Sequence, residues 1–246
     1  MLNLPKLIGH RGVKNLAPEN TLDSIKLAHK LGLKWIEVDV KITKDKIPIV
    51  LHDDSLDRTT NFKGLTIDFL YEEIKKLDAG FFFHNFKTNI FIPTLKDIFN
   101  FCIKHEIGIN IELKPNKGFE IDNVKAISKV IRQSQDLNNF YFSSFDLKSL
   151  IEMKKIFPNF YYGLLIDNFD NVHSLQECIK ICNNYKFFNF GLNKKLINNE
   201  IINEIKKNNL IITTYSDKNI KLIEANDLWN LGVTSIFIDD PSLFEL

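Results

Sequence analysis

Arginine is scarce in this 246-residue chain: lysine outnumbers it 29 to 3. Such a skew reflects base composition, so Phe-rich or Asn-rich stretches carry little functional weight. It also makes Arg11, Arg58 and Arg132 conspicuous. With only three cysteines, the thiols cannot all pair with one another. This excludes a disulfide scaffold and leads us to expect reduced thiols in a cytoplasmic protein. There is no apolar run of about 18 residues that would predict a membrane span. Met1–Pro5 lacks the charged and apolar regions of a secretory leader. No stable membrane insertion is therefore expected. A formal net charge of +1 gives no global field for nucleic acid, so any anionic ligand must be met by a local constellation.

What is present is an alternation of short apolar runs with amphipathic segments. Strands are expected at Lys6–His10, Lys34–Val40, Gly108–Leu113, Phe140–Ser143, Tyr161–Ile166, Phe187–Gly191, Leu210–Thr214 and Thr234–Ile238. Helical spacing marks Thr21–Leu31, Leu95–Lys104, Asp122–Gln135, Leu147–Phe157, Ser174–Cys182, Ile197–Lys207 and Asn219–Leu231. Eight strands alternating with helices, with no linker between them, predict one α/β domain over 1–246. The expected architecture is a TIM (β/α)8 barrel. A doubly wound sheet is the alternative, but its glycine-rich first turn is missing. Lys41–Pro93 exceeds a simple crossover and reads as an insertion after the second strand. Within it we expect an extended Pro48–His52 segment and a short helix around Asp68–Leu77.

Period-2 reading places charges inside two strands. Ile36, Val38 and Val40 share one face, and Glu37 and Asp39 share the other with Trp35. In the next strand Ile111 and Leu113 oppose Asn110, Glu112 and Lys114. In a barrel the apolar face packs on the helices, so the charges point inward. Three inward carboxylates are costly to bury unless neutralised. Oxygen ligands without cysteine favour Mg²⁺ or Ca²⁺ over Zn²⁺. The competing structural readings are a buried ion-pair network and the alternation of an exposed antiparallel sheet.

His10 and His52 each close an apolar run, where a histidine is more often packed or capping. As a pair near candidate ligands they suit divided acid and base work near neutral pH. Arg11 adds a planar fork for phosphate oxygens. Together these residues are equipment for phosphodiester chemistry.

Gly9-His10-Arg11-Gly12, Ala17-Pro18-Glu19-Asn20-Thr21, Ile36-Glu37-Val38-Asp39-Val40, Leu51-His52-Asp53 and Ile111-Glu112-Leu113-Lys114 resemble, in order and spacing, the glycerophosphodiester phosphodiesterases. Leu77-Asp78-Ala79-Gly80, Ile92-Pro93-Thr94-Leu95 and Ser143-Ser144-Phe145 are further landmarks. The resemblance implies a TIM barrel that hydrolyses a small-molecule glycerophosphodiester to sn-glycerol 3-phosphate and an alcohol. It implies His10 and His52 as the acid/base pair, and Glu37, Asp39 and Glu112 as metal ligands. Arg11 and Lys114 would hold the phosphate, and Glu19 would support the site by orienting Arg11. Thr213-Thr214-Tyr215-Ser216 and Ile238-Asp239-Asp240-Pro241 depart from the family's Trp-Thr-Val-Asn-like and Thr-Asp-Arg-Pro-like stretches. These departures bear on the alcohol pocket.

Other signals are discounted. Cys178 and Cys182, with His173 nearby, read as core cysteines. His105-Glu106 lacks the second histidine of a metalloprotease helix, and His29 reads as solvated. Phe81-Phe82-Phe83-His84 reads as ordinary packing, with an apolar lid or lipid contact as the alternative. Arg58 reads as a loop anchor. Three other functions compete: a Schiff-base lyase on Lys114, a lysophospholipase D-type activity on lipid diesters, and a non-catalytic phospho-ligand-binding barrel. The carboxylates beside Lys114 count against the first, because they keep an amine protonated.

Overall fold

The computed structural model describes residues 2–134, 139–170 and 174–244. The strands are β1 (Leu7–Gly9), β2 (Trp35–Ile42), β3 (Pro48–Val50), β4 (Gly108–Leu113), β5 (Phe140–Ser144), β6 (Tyr162–Ile166), β7 (Asn189–Asn193), β8 (Ile211–Tyr215) and β9 (Ser235–Ile238). The helices are α1 (Leu22–Lys30), α2 (Tyr71–Ile74), α3 (Phe81–His84), α4 (Leu95–Lys104), α5 (Glu120–Gln133), α6 (Leu147–Ile156), α7 (Leu175–Tyr185), α8 (Asn199–Lys207) and α9 (Leu222–Leu231).

Eight of the strands are parallel and run in the order β1-β9-β8-β7-β6-β5-β4-β2. The pairing of Gly9 with Ile36 closes the ring between β1 and β2. This is the expected TIM barrel. The remaining strand, β3, pairs antiparallel with the carboxyl end of β2, Val40 facing Val50 and Ile42 facing Pro48. Since β4 occupies the other edge of β2, β3 continues the edge that the three-residue β1 leaves open.

The predicted faces hold. Ile36, Val38, Val40, Ile109, Ile111 and Leu113 are fully buried in the main core with helix residues such as Ile25, Ile98 and Ile127. Inside the barrel, Leu4, Ile8, Trp35, Tyr141 and Phe237 form a separate apolar plug. Polar side chains also pair inside the barrel: Ser143 Oγ donates to Asn110 Oδ1 at 2.8 Å, and Thr213 Oγ1 to Asn189 Oδ1 at 3.1 Å. The charges gather at the carboxyl end, where barrel loops converge.

Several boundaries differ from expectation for local reasons. β2 runs on to Ile42 because β3 gives it a partner. The expected Asp68–Leu77 helix breaks into a 3-10 turn, Thr66–Asp68, and α2, with Phe69 and Leu70 extended between them. The Asn198 side chain caps α8 by accepting from Ile201 N at 2.9 Å, so that helix starts later than Ile197. Asn219 stays outside α9 because its Oδ1 accepts from Asp239 N and Asp240 N. Phe187 N donates to Cys182 O at 2.8 Å, closing the turn after α7 and delaying β7 to Asn189. The expected end of α5 at Gln135, and His173, lie outside the described residues.

The segment after β2 has a small core of its own, made of Ile49, Leu51, Leu56, Ile74, Ala79 and Ile92. One expectation there is wrong. Phe82 and Phe83 are 51% and 41% exposed, and Phe86 is 61% exposed. No residue of α3 is buried, because Asp78 ties the two ends of this loop together and leaves its tip outside. Asp78 accepts from Gly80 N at 2.9 Å and from Thr88 N at 2.5 Å. Cys178 and Cys182 are core residues, as expected. His29 is half-buried rather than solvated, its ring 4.7 Å from that of His105. Among the described residues no helix is long and apolar enough to cross a membrane.

Candidate active site

Site assembly begins in the loop after β1. Arg11, with φ of 51°, and Gly12, with φ of 82°, form a left-handed turn. A Cβ on Gly12 would lie 2.2 Å from Ser24 Oγ, so only glycine fits there. Ser24 holds the turn, accepting from Val13 N at 2.7 Å and donating to Arg11 O at 2.9 Å. The turn aims the Arg11 backbone N–H at Glu37 Oε2, at 2.9 Å. It also brings the Arg11 guanidinium between Glu19 (2.8 Å) and Asp39 (3.3 Å).

Glu37, Asp39 and Glu112 offer carboxylate oxygens that all lie within 4.8 Å of one another, and all three residues are buried. Burial and the charges of Asp39 and Glu112 push the Glu37 carboxyl well above its usual range. Burial acts in the same direction on Glu112. Asp39 goes the other way: burial would raise it, but Lys114 and Arg11 hold it well below the carboxylate range. Lys114 Nζ lies 3.1 Å from both Asp39 Oδ1 and Glu112 Oε1. These carboxylates outweigh burial and keep the amine protonated, which is the wrong state for a Schiff-base nucleophile. Glu37 Oε1 is buried with no hydrogen-bond partner. A hard divalent cation fits this oxygen-only, negatively charged donor set.

The two histidines face the same cavity, of about 210 Å³. His10 Nδ1 lies 2.7 Å from Asp239 Oδ1, and its Nε2 lies 4.0 Å from Glu37 Oε2. Burial is the dominant influence on His10 and lowers its pKa to about 4, against the opposing pull of Asp239. His52 Nδ1 lies 2.6 Å from Asp53 Oδ1, and burial likewise lowers its pKa. In each ring Nδ1 is engaged by a carboxylate, so Nε2 is the nitrogen open to a ligand. Arg58 bridges Glu19 and Asp53, with bonds of 2.7–2.8 Å to Glu19 and 2.7–3.0 Å to Asp53. It ties together the supports of Arg11 and His52, the anchoring place expected of it.

All eight residues singled out from the sequence as site candidates converge here. Sequence reasoning missed Asp239, Asp53 as a histidine partner, Lys14 and Asn20. Lys14 Nζ pairs with Asp239 Oδ2 at 3.3 Å, and Asn20 Nδ2 donates to Asp39 Oδ2 at 2.8 Å. Asp239 directly follows β9, at the carboxyl end of a barrel strand, and that position was the available signal.

The family model described as the glycerophosphoryl diester phosphodiesterase family matches residues 10–243. A glycerophosphodiester phosphodiesterase of Caldanaerobacter subterraneus subsp. tengcongensis is 39% identical over 159 residues, covering 65% of each chain, just under two thirds of that relative's length. One from Bacillus altitudinis is 31% identical over 243 residues, covering 97% of this chain and 96% of that one. A solved structure of an Oleispira antarctica phosphodiesterase in complex with the product sn-glycerol-3-phosphate superposes with a TM-score of 0.88 at 30% identity, covering 96% and 93% of the two chains. With the motif order, the barrel and the converging site in agreement, this chain belongs to the glycerophosphoryl diester phosphodiesterase family.

Proposed function

We propose that the chain, acting as a single domain over 1–246, hydrolyses glycerophosphodiesters to sn-glycerol 3-phosphate and an alcohol. The observation that carries this reading is the convergence of two imidazoles on one cavity lined by Glu37 and Glu112, whose carboxylates cluster with that of buried Asp39. Glu37, Asp39 and Glu112 are the metal ligands, for Mg²⁺ or Ca²⁺. When bound, the cation supplies Lewis-acid charge for the phosphoryl oxygens. Arg11 and Lys114 bind the remaining oxygens, and Glu19 orients Arg11. The three cysteines are unpaired and buried, which supports a reducing, cytoplasmic setting.

His10 and His52 divide the proton work. One imidazole takes a proton from the nucleophile, either water or the glycerol 2-hydroxyl. A new P–O bond forms as the ester bond to the alcohol breaks, and the other imidazole protonates the departing oxygen. If the 2-hydroxyl attacks, water then opens the cyclic phosphate. Both rings begin neutral at pH 7, given their lowered pKa values, so the acid must gain its proton as substrate binds. The phosphate's negative charge favours that step.

The test is release of glycerol 3-phosphate from glycerophosphocholine and glycerophosphoethanolamine, with Mg²⁺, Ca²⁺ or EDTA. Metal-dependent release that is lost in both His10→Ala and His52→Ala supports the reading. No release from folded, metal-loaded protein would overturn it. The exposed loop with Phe82, Phe83 and Phe86 favours a second reading, turnover of lysophospholipids at a lipid surface. Under that reading, serine at all three positions lowers turnover of lysophosphatidylcholine but not of a water-soluble diester.

A further inference from the structure

Lys41 is 1% exposed and is among the largest fully buried side chains of the described residues. By alternation it follows Trp35, Glu37 and Asp39 along the inward face of β2. A lysine is almost never buried so fully unless it is paired. Its Nζ donates to Asp54 Oδ1 at 2.6 Å and to the backbone carbonyl of Lys114 at 3.2 Å. The Asp54 side chain is 54% exposed, so water can serve that carboxylate without help. The need runs the other way: Asp54 offsets the charge of Lys41, and the second bond goes to the main chain of a residue in the site.

Three consecutive residues of β2 grip Lys114. Its Nζ lies 3.1 Å from Asp39 Oδ1, its N–H donates to Val40 O at 3.2 Å, and its carbonyl accepts from Lys41. The first contact holds the head of the side chain, and the other two hold the backbone from which it departs. Lys114 stands just past the end of β4 at Leu113, where strand pairing no longer fixes the chain on both sides. The far end of the clamp is itself anchored. Asp54 O accepts from Thr66 N at 2.9 Å and from Thr66 Oγ1 at 3.1 Å. Thr66 Oγ1 in turn accepts from Asn116 Nδ2 at 3.2 Å. A closed line of polar contacts thus ties the Lys114–Asn116 turn to the segment after β3.

We propose that Lys41 is a positioning residue for phosphate binding: braced against Asp54, its ammonium fixes the Lys114 backbone so that the Lys114 ammonium meets the phosphoryl oxygens. Lys41 does not line the cavity and acts through Lys114. The proposal rests on the phosphodiesterase reading for what Lys114 binds, while the clamp stands on its own geometry. The competing account is an ion pair kept for stability alone. Buried pairs are often replaced by apolar residues of similar volume without loss of stability, so stability and function can be separated here.

The experiment is a double-mutant cycle of Lys41→Met and Lys114→Met, read as kcat/KM for glycerophosphocholine. Methionine nearly matches lysine in length but has no donor, and urea unfolding confirms that each variant folds. Should Lys41→Met not fold, Lys41→Gln takes its place in the same cycle. Alone, the substitution should lower kcat/KM roughly tenfold or more, the scale for a group that orients a ligand from behind. Added to Lys114→Met, it should cost less than about twofold, because the residue it positions is already gone. Wild-type activity in Lys41→Met, or the same loss in both backgrounds, overturns the proposal. Calorimetric titration of the same four proteins with glycerol 3-phosphate reads the clamp without turnover. If no diester is cut but affinity falls in Lys41→Met only while Lys114 is present, the reaction fails and the clamp stands. Turnover with independent losses removes the clamp and leaves the reaction.

Discussion

Arg11 donates its backbone N–H to Glu37 Oε2 at 2.9 Å, and its guanidinium reaches Asp39 at 3.3 Å. One residue thus restrains two of the three clustered carboxylates, one through main chain and one through side chain. The left-handed turn at Arg11 and Gly12 makes both contacts possible.

Gly12→Ala should therefore damage both fold and site. The added methyl has no room beside Ser24 and no favourable backbone conformation. We expect a loss of more than about 1 kcal/mol in urea unfolding, with kcat/KM falling further than stability explains. Unchanged stability would mean that the turn relaxes at no cost.

Burial and the charges of Asp39 and Glu112 should make an ionised Glu37 oppose folding in the absence of a cation. Glu37→Gln removes one charge from a group whose pKa is driven upward by burial and by Asp39 and Glu112. In EDTA the variant should melt higher than the wild type, by roughly 2–4 °C per kcal/mol of repulsion relieved, and it should be inactive. A lower Tm in EDTA would show that the hydrogen bond to Arg11 outweighs the repulsion.

Cation binding should show itself without turnover. Mg²⁺ or Ca²⁺ at a hundredfold excess over Kd stabilises by roughly 2.7 kcal/mol, which scanning calorimetry resolves. The rise in Tm should vanish in Glu112→Gln. A wild-type Tm indifferent to both ions would count against the three carboxylates as ligands.

The pKa of His10 falls to about 4 from 6.5 in the free side chain. The unfolded chain therefore binds a proton that the folded chain refuses between those values. Its stabilising contribution is complete above about pH 6.5 and is lost as pH falls toward about 4. Comparing wild type with His10→Gln by urea unfolding, the difference should move in favour of the variant between about pH 7.5 and pH 5. A constant difference would remove the buried neutral imidazole from the description.

Asp239 holds His10 Nδ1, so Asp239→Asn should lower kcat while leaving KM nearly unchanged. The amide can present an N–H where an acceptor is needed and so favour the wrong tautomer. A loss of roughly 10²-fold or more is expected, the scale of acid–base assistance. Loss of KM alone would mean that Asp239 only shapes the cavity.

Much of this site was legible in the sequence because strands impose a period of two. Glu37 and Asp39 could be placed inside the barrel from their alternation with Ile36, Val38 and Val40 alone. The helices had clear centres, but their first residues depended on where a side chain bonded: Asn198 caps α8, while Asn219 is drawn away to the Asp239 and Asp240 backbone. Asp239 was not legible as a partner of His10 because the two are 229 positions apart. Only closure of the ring brings them together. The exposure of Phe82 and Phe83 was misread because local sequence does not record that Asp78 pins the loop from below.

The His10–Asp239 contact joins the first barrel strand to the last, since Gly9 pairs with Ile238. A nascent polypeptide leaving the ribosome can form β1 through β8 and still have His10 without its carboxylate. Its ring is then free to rotate and its tautomer unset. The partner that fixes the His10 ring therefore arrives only when β9 docks beside β1 and closes the barrel.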